Sequence, residues 1–232
     1  MQAWPCPTPS EPINATVSLP GSKSLSARAL LLAALADSPS QIEGLLESRD
    51  TALMRAALET LGARFTWHGG LLQVTPLVAD QKPAGGQAQR SPAPVIDCGL
   101  AGTVMRFVPP LALALGTSLT FTADQAALAR PMEPLTDALE ALGARFEWHG
   151  QRGRLPFTIH GAGLKPQEQL QVQVDGSKSS QFVSALLYLG AALPLGAKAQ
   201  SLTVSAKQPL VSVPHLQMSV ASLRQCGVQV QA

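Results

Sequence analysis

The sequence predicts an α+β fold assembled from three tandem copies of a βαβαββ-type unit, with buried helices and outward-facing sheets. Two series of segments carry that reading. GSKSLSARALLLAALA from Gly21, GLAGTVMRFVPPLALA from Gly99 and GSKSSQFVSALLYLGAAL from Gly176 recur at intervals of 78 and 77 residues. MRAALETLGARFTWHG from Met54, TDALEALGARFEWHG from Thr136 and the weaker MSVASLRQCGVQV from Met218 align on Gly62, Gly143 and Gly227, 81 and 84 residues apart. A fixed period marks a repeated supersecondary unit that cannot bury its apolar face alone. The copies span approximately 19–96, 97–174 and 175–232, after an irregular or hinge segment at 1–18.

Within a copy the expected order is a strand, a buried helix, a strand, an amphipathic helix and one or two closing strands. Ala27 to Ala36 is apolar on every side and belongs in an interior. The next helix, near Thr51 to Leu61, places Leu53, Met54, Ala57, Leu58 and Leu61 on one face and turns Arg55 and Glu59 away. Gly62 then stands where a left-handed C-terminal cap would. ARFTWHG and LLQVTPL read as strands.

The second copy repeats the stripe with Leu135, Leu139 and Leu142 behind Pro131 or Pro134, and the third with Leu216, Val220 and Leu223 behind Pro214. Pro109 and Pro110 interrupt the second apolar helix, so a kink or a delayed start is expected there. Val78 to Pro94 is a loop or linker by composition. The third copy stops at Ala232 before any closing strand, which points to one part of a longer polypeptide.

A chain of 232 residues with 46% hydrophobic content can bury a substantial core. A net charge of +2, one Tyr and three Trp argue against a nucleic-acid surface. Three cysteines, an odd count without metal-ligand spacing, suit a reduced cytoplasmic setting. No stretch reads as a membrane span or a signal peptide, so the expectation is a cytoplasmic monomer with no membrane partner.

Charge is uneven along the chain. No Asp or Glu occurs from Pro12 to Ala36, from Cys98 to Ala123 or from Gly176 to Ala232, the stretches that hold the glycine-led segments. Each of those segments reads as a helix N-terminus with free N–H groups beside Lys23, Arg28, Arg106 or Lys178, a pattern suited to phosphate or carboxylate. A lone Ser here is more commonly a helix cap, but three copies with basic neighbours favour an anion site. His68 and His149, at equivalent strand ends, are expected to face solvent.

Five ordered motifs sharpen this picture. LPGSKSLSARALLLAALA (Leu19 to Ala36), LAGTVMR (Leu100 to Arg106), ARPM (Ala129 to Met132), GSKSSQF (Gly176 to Phe182) and SVPH (Ser212 to His215) resemble, in order and spacing, those of the 5-enolpyruvylshikimate-3-phosphate (EPSP) synthase family. The resemblance covers the family's first domain only. It implies an α/β prism, one half of a two-domain enolpyruvyl transferase fold, whose C-terminal domain would be a necessary partner. It also implies a shikimate-pathway transferase of aromatic amino acid and chorismate biosynthesis, moving the enolpyruvyl group of phosphoenolpyruvate to the 5-hydroxyl of shikimate 3-phosphate. No cofactor and no metal are implied, and the isolated half is expected to be inactive yet to bind shikimate 3-phosphate weakly.

The resemblance also assigns roles. Lys23 would be catalytic, contacting both substrates. Ser24 and Arg28 would hold the shikimate carboxylate, Ser179, Ser180 and Ser212 its phosphate, and Gln181 would reach both ligands. Gly102, Thr103 and Arg130 would bind phosphoenolpyruvate, with Asp50, Arg106 and His215 in support. Leu100 departs from the family's Asn, Phe107 from its Pro, and His215 from its Tyr. The rivals are half of a UDP-N-acetylglucosamine enolpyruvyl transferase, against which GSKS and SSQF argue, and a non-catalytic repeat scaffold or RNA-end-processing relative.

Overall fold

A strand exists by virtue of its neighbour, and the first copy departs from expectation on that ground. The computed structural model describes residues 4–77, 92–161, 164, 169–193, 201–207 and 209–231. Residues 4–22 form no strand, because no sheet edge among the described residues pairs with them; Ile13, Val17 and Leu19 stay exposed. The first elements are α1 (Lys23–Leu35), β1 (Ser40–Ile42), α2 (Arg49–Leu61), β2 (Arg64–His68) and β3 (Leu71–Thr75). Their strands make an antiparallel sheet in the order β1-β3-β2.

The middle stretch runs β4 (Val95–Asp97), α3 (Gly102–Phe107), α4 (Pro109–Leu115), β5 (Ser118–Thr122), α5 (Gln125–Leu128), α6 (Glu133–Ala141), β6 (Arg145–Trp148) and β7 (Phe157–His160). Its sheet has the order β4-β5-β7-β6, with β4 and β5 parallel. The prolines act as expected: the helix breaks at Val108, and Pro109 and Pro110 open α4, where a missing N–H costs nothing. The last stretch has β8 (Gln169–Asp175), α7 (Ser180–Ala192), β9 (Ser201–Lys207) and α8 (Val213–Gln225), with β8 and β9 parallel. Most of the expected linker, 78–91, lies outside the described residues.

The core lies among the helices. Leu30 and Leu31 of α1, Leu111 and Leu113 of α4, and Phe182, Leu186 and Leu189 of α7 are fully buried, and Phe107 meets Tyr188 edge to face at 5.0 Å. Burying each leucine contributes about 2 kcal/mol relative to leaving it in water. Strand β8 alternates buried and exposed side chains, as a sheet with one wet face must. The amphipathic helices follow the sequence pattern: Met54, Ala57, Leu58 and Leu61 of α2 and Leu135 and Leu139 of α6 are buried, while in α8 only Leu223 of its expected stripe is.

Gly62, Gly143 and Gly227 all adopt positive φ, at 116°, 110° and 84°. The chain leaves α2, α6 and α8 through the same left-handed turn, which a side chain would strain. The N-terminus of α2 carries a reciprocal cap, in which the Ser48 hydroxyl accepts from Thr51 N–H and the Thr51 hydroxyl accepts from Ser48 N–H.

Candidate functional site

Parallel pairing decides where the glycine-led turns meet. Strands β4 and β5 end together at Asp97 and Thr122, and β8 and β9 at Asp175 and Lys207. The turns that follow therefore emerge at the carboxyl ends of parallel strands, the customary place for ligands in such sheets. Both first turns are closed alike: Gly99 N–H donates to Asp97 Oδ1 and Ser177 N–H to Asp175 Oδ1, each at 2.8 Å. The Ser177 hydrogen bonds, side chain first and backbone second, hold the Asp175 carboxyl below the usual carboxylate range.

A cleft of about 270 Å³ opens where the starts of α1, α2, α3 and α7 converge. Lys23, Ser24, Asp50, Leu100, Gly102, Thr103, Arg106, Arg130 and Gln181 line it. Lys23 Nζ pairs with Asp50 Oδ2 at 3.1 Å. Arg130 Nη1 donates to the Leu100 carbonyl at 2.7 Å, and Arg106 Nη1 donates to Gln181 Oε1 at 2.7 Å. A second hollow, of about 260 Å³ along the β1–β3 pair, is lined by Pro39, Ser40, Gln41, Gln73, Val74 and Thr75, none of them charged.

Electrostatically the cleft is lopsided. Three cations face one carboxylate, Asp50, which Lys23 already occupies. Arg106 is 8% exposed, its Nε has no hydrogen-bond partner, and its guanidinium lies 5.2 Å over the Phe182 ring. Burial, and then the neighbouring Arg130 charge, lower its pKa to about 10. A bound anion would relieve both the desolvation and the repulsion. Gly102 makes room for it: a Cβ there would lie 2.9 Å from Arg106 Nη1 and 3.3 Å from Gln181 Oε1.

The other expected residues sit nearby but outside the cleft wall. Arg28 is 2% exposed, between α1, α7 and α8. Its Nε donates to Ser219 Oγ at 2.9 Å, Nη1 to the Ser24 carbonyl at 2.9 Å and Nη2 to the His215 carbonyl at 3.1 Å, with Phe107 beneath it. Burial lowers the Arg28 pKa and raises that of Tyr188 beside it.

Ser179 caps α7, accepting from Gln181 N–H at 3.2 Å, and Ser180 is buried behind it. Ser212 is exposed at the start of α8 and holds a left-handed conformation, φ 52°, rare for a residue with a side chain. Leu210, two residues before Ser212, packs against Gly176, three residues before Ser179. His215 is exposed, as are His68 and His149, although His149 Nε2 also hydrogen-bonds Thr158 Oγ1 at 2.7 Å.

The sequence reading passed over Arg49 and Asp124, which form a two-pronged ion pair at 2.6 and 2.9 Å on the rim. No sequence motif marked them: Arg49 opens α2 and Asp124 precedes α5, 75 positions on, so only the tertiary fold joins the pair. Among the described residues no group of three His, Cys, Asp or Glu side chains could hold a metal ion, and no helix is long and apolar enough to cross a membrane.

The family model for EPSP synthase (3-phosphoshikimate 1-carboxyvinyltransferase) matches residues 7–232. A 3-phosphoshikimate 1-carboxyvinyltransferase of Bifidobacterium longum (strain DJO10A) is 46% identical over 232 residues, covering 99% of this chain and 49% of the relative. The protein of that name from Mycobacterium ulcerans (strain Agy99) is 43% identical, with 99% and 50% covered. The chain thus spans about half the length of the curated relatives it matches. A solved EPSP synthase from Acinetobacter baumannii superposes with a TM-score of 0.71 at 23% identity, over 93% of this chain and 45% of that one, a likeness of fold.

Proposed function

This chain belongs to the EPSP synthase family, and from that premise we propose that it is one half of an enzyme that transfers the enolpyruvyl group of phosphoenolpyruvate to the 5-hydroxyl of shikimate 3-phosphate, releasing phosphate. The observation that carries the proposal is the cleft's charge: Lys23, Arg106 and Arg130 against Asp50 alone. An excess of two positive charges complements a phosphate dianion. Arg130 and the N–H groups of Gly102 and Thr103 would grip the phosphate of phosphoenolpyruvate, and Arg106 would add the nearest unneutralised charge.

Lys23, on the exposed side of the cleft, would hold the substrates' anionic groups as an ammonium and relay protons. The 5-hydroxyl oxygen bonds the enol carbon as a proton adds to the methylene carbon, and loss of a methyl proton together with phosphate restores the double bond. Asp50 would keep Lys23 oriented. Ser179 and Ser180 at the start of α7 and Ser212 at the start of α8 would take the shikimate phosphate, and Ser24, Arg28 and Gln181 the rest of that ligand. Arg28 is covered by α8, so it would act through the Ser24 carbonyl it supports or after α8 shifts.

The remaining half of the protein would supply the other wall of the site, so this chain alone should bind substrates weakly and not turn over. A cytoplasmic monomer suits three unpaired thiols. Titrating the ¹⁵N-labelled chain with shikimate 3-phosphate, phosphoenolpyruvate, UDP-N-acetylglucosamine and a short RNA tests the reading. The first two should shift the amides of Gly102, Thr103, Ser179 and Ser180. Shifts with the nucleotide sugar or the RNA alone would overturn it, and turnover by the isolated chain would refute the division of labour.

A further inference from the structure

The two sides of the cleft come from different repeats. Lys23 and Asp50 belong to the first, whereas Arg130 and the Gly102 turn belong to the second. From the Arg49–Asp124 pair that spans the rim between them, we propose that these two residues are positioning residues, setting Arg130 and the Gly99–Gly102 turn at working distance from Lys23. The inference rests on the function proposed above.

The connections are continuous. Arg49 is the first residue of α2, directly before Asp50, so one helix start holds Lys23 through Asp50 and reaches across through Arg49. Both guanidinium prongs engage Asp124, Nη1 to Oδ2 at 2.6 Å and Nη2 to Oδ1 at 2.9 Å, a fork that fixes direction as well as distance. Asp124 is the N-cap residue of α5, the short helix that leads to Arg130. Its backbone N–H donates to the Gly99 carbonyl at 3.1 Å, and Arg130 returns to the same turn through the Leu100 carbonyl.

Arg49 also covers the turn itself. A Cβ on Gly99, whose φ is 48°, would lie 3.0 Å from Arg49 Nη2 and 2.7 Å from Leu53 Cδ1. The turn is thus held by hydrogen bonds to Asp97, the Asp124 N–H and Arg130, with the Arg49 guanidinium packed close to Gly99. Both charged groups are partly exposed, so the pair acts by geometry; an exposed ion pair adds little to global stability.

The test uses this chain with Arg49→Ala, Asp124→Ala, Arg49→Lys and the charge swap Arg49→Asp with Asp124→Arg. Phosphoenolpyruvate and shikimate 3-phosphate are titrated separately, and amide hydrogen exchange at Gly99, Ala101 and Asp124 is measured without ligand. Each alanine variant should bind phosphoenolpyruvate at least fivefold more weakly, leave shikimate 3-phosphate binding within twofold, and exchange the three amides at least fivefold faster. Lysine, a point charge without the fork, should fall between, and the swap should recover most of the loss.

Unchanged exchange in Arg49→Ala would overturn the proposal whether or not any ligand binds. Equal losses for both ligands, or a swap no better than the single variants, would reduce the pair to general stability and overturn it too. Failure of wild type to bind phosphoenolpyruvate, with exchange responding as expected, would count against the functional reading and leave the positioning role standing.

Discussion

Gly102→Ala separates the chemistry of the cleft from the stability of the fold. Gly102 is the first residue of α3 and does not use a positive φ, so alanine suits its backbone and should gain a few tenths of a kcal/mol through the unfolded state. The cost is local. The new methyl would lie 2.9 Å from Arg106 Nη1, where about 3.5 Å is comfortable. The guanidinium must retreat by roughly half an ångström, yet it is almost fully buried and stacked on Phe182, and its free route runs into the cleft.

That movement breaks or lengthens the 2.7 Å bond to Gln181 and pushes the guanidinium into the cleft. Displaced in this way, Arg106 and the new methyl would crowd the proposed phosphate position and cost the ligand one hydrogen bond between charged groups, about 1.5–3 kcal/mol, so phosphoenolpyruvate affinity should fall roughly ten- to a hundredfold. Shikimate 3-phosphate, which the proposal sets against Ser24, Ser179, Ser180 and Ser212 and so mostly away from Gly102, should lose at most a few-fold. Titration calorimetry with each ligand, beside a thermal melt, reads all three quantities. Unchanged phosphoenolpyruvate affinity, or equal losses for both ligands, would refute the close-packed placement of Gly102 against Arg106.

Two further outcomes follow from burial and backbone geometry. Burial pushes the Cys98 thiol far above the usual value of about 8.5, and Cys6 and Cys226 are exposed. A raised thiol pKa means less thiolate at every pH below it, so two thiols should react with a disulfide reagent at pH 8 and the third only on unfolding; three rapid equivalents would contradict the packing around β4. Ser212→Gly removes left-handed strain and should leave urea stability equal or higher by up to about 1 kcal/mol. Loss of the hydroxyl should weaken shikimate 3-phosphate binding about tenfold, and unaffected binding would remove Ser212 from the site.

The periodic glycines and the all-apolar helices were legible in the sequence because local sterics and burial dictate them. Gly62, Gly143 and Gly227 leave their helices alike, and Pro109 divides α3 from α4, for reasons confined to a few residues. The basic surplus of the glycine-led stretches was legible too, since an absence of Asp and Glu needs no coordinates. The missing first strand was not, because Ile13, Val17 and Leu19 have strand chemistry but no edge to pair with among the described residues.

By itself, then, the chain's order of residues determined the recurring glycine turns, the helix caps and the local excess of basic side chains. Tertiary structure alone decided which cations share a cleft: Arg28, alike in sequence to the others, turns inward to Ser219, while Arg106 and Arg130 crowd together. It also brought Arg49 to Asp124 across 75 positions. The physical reason is that turn and helix preferences act within a few residues, whereas the direction of a long charged side chain is settled by what the rest of the fold leaves beside it.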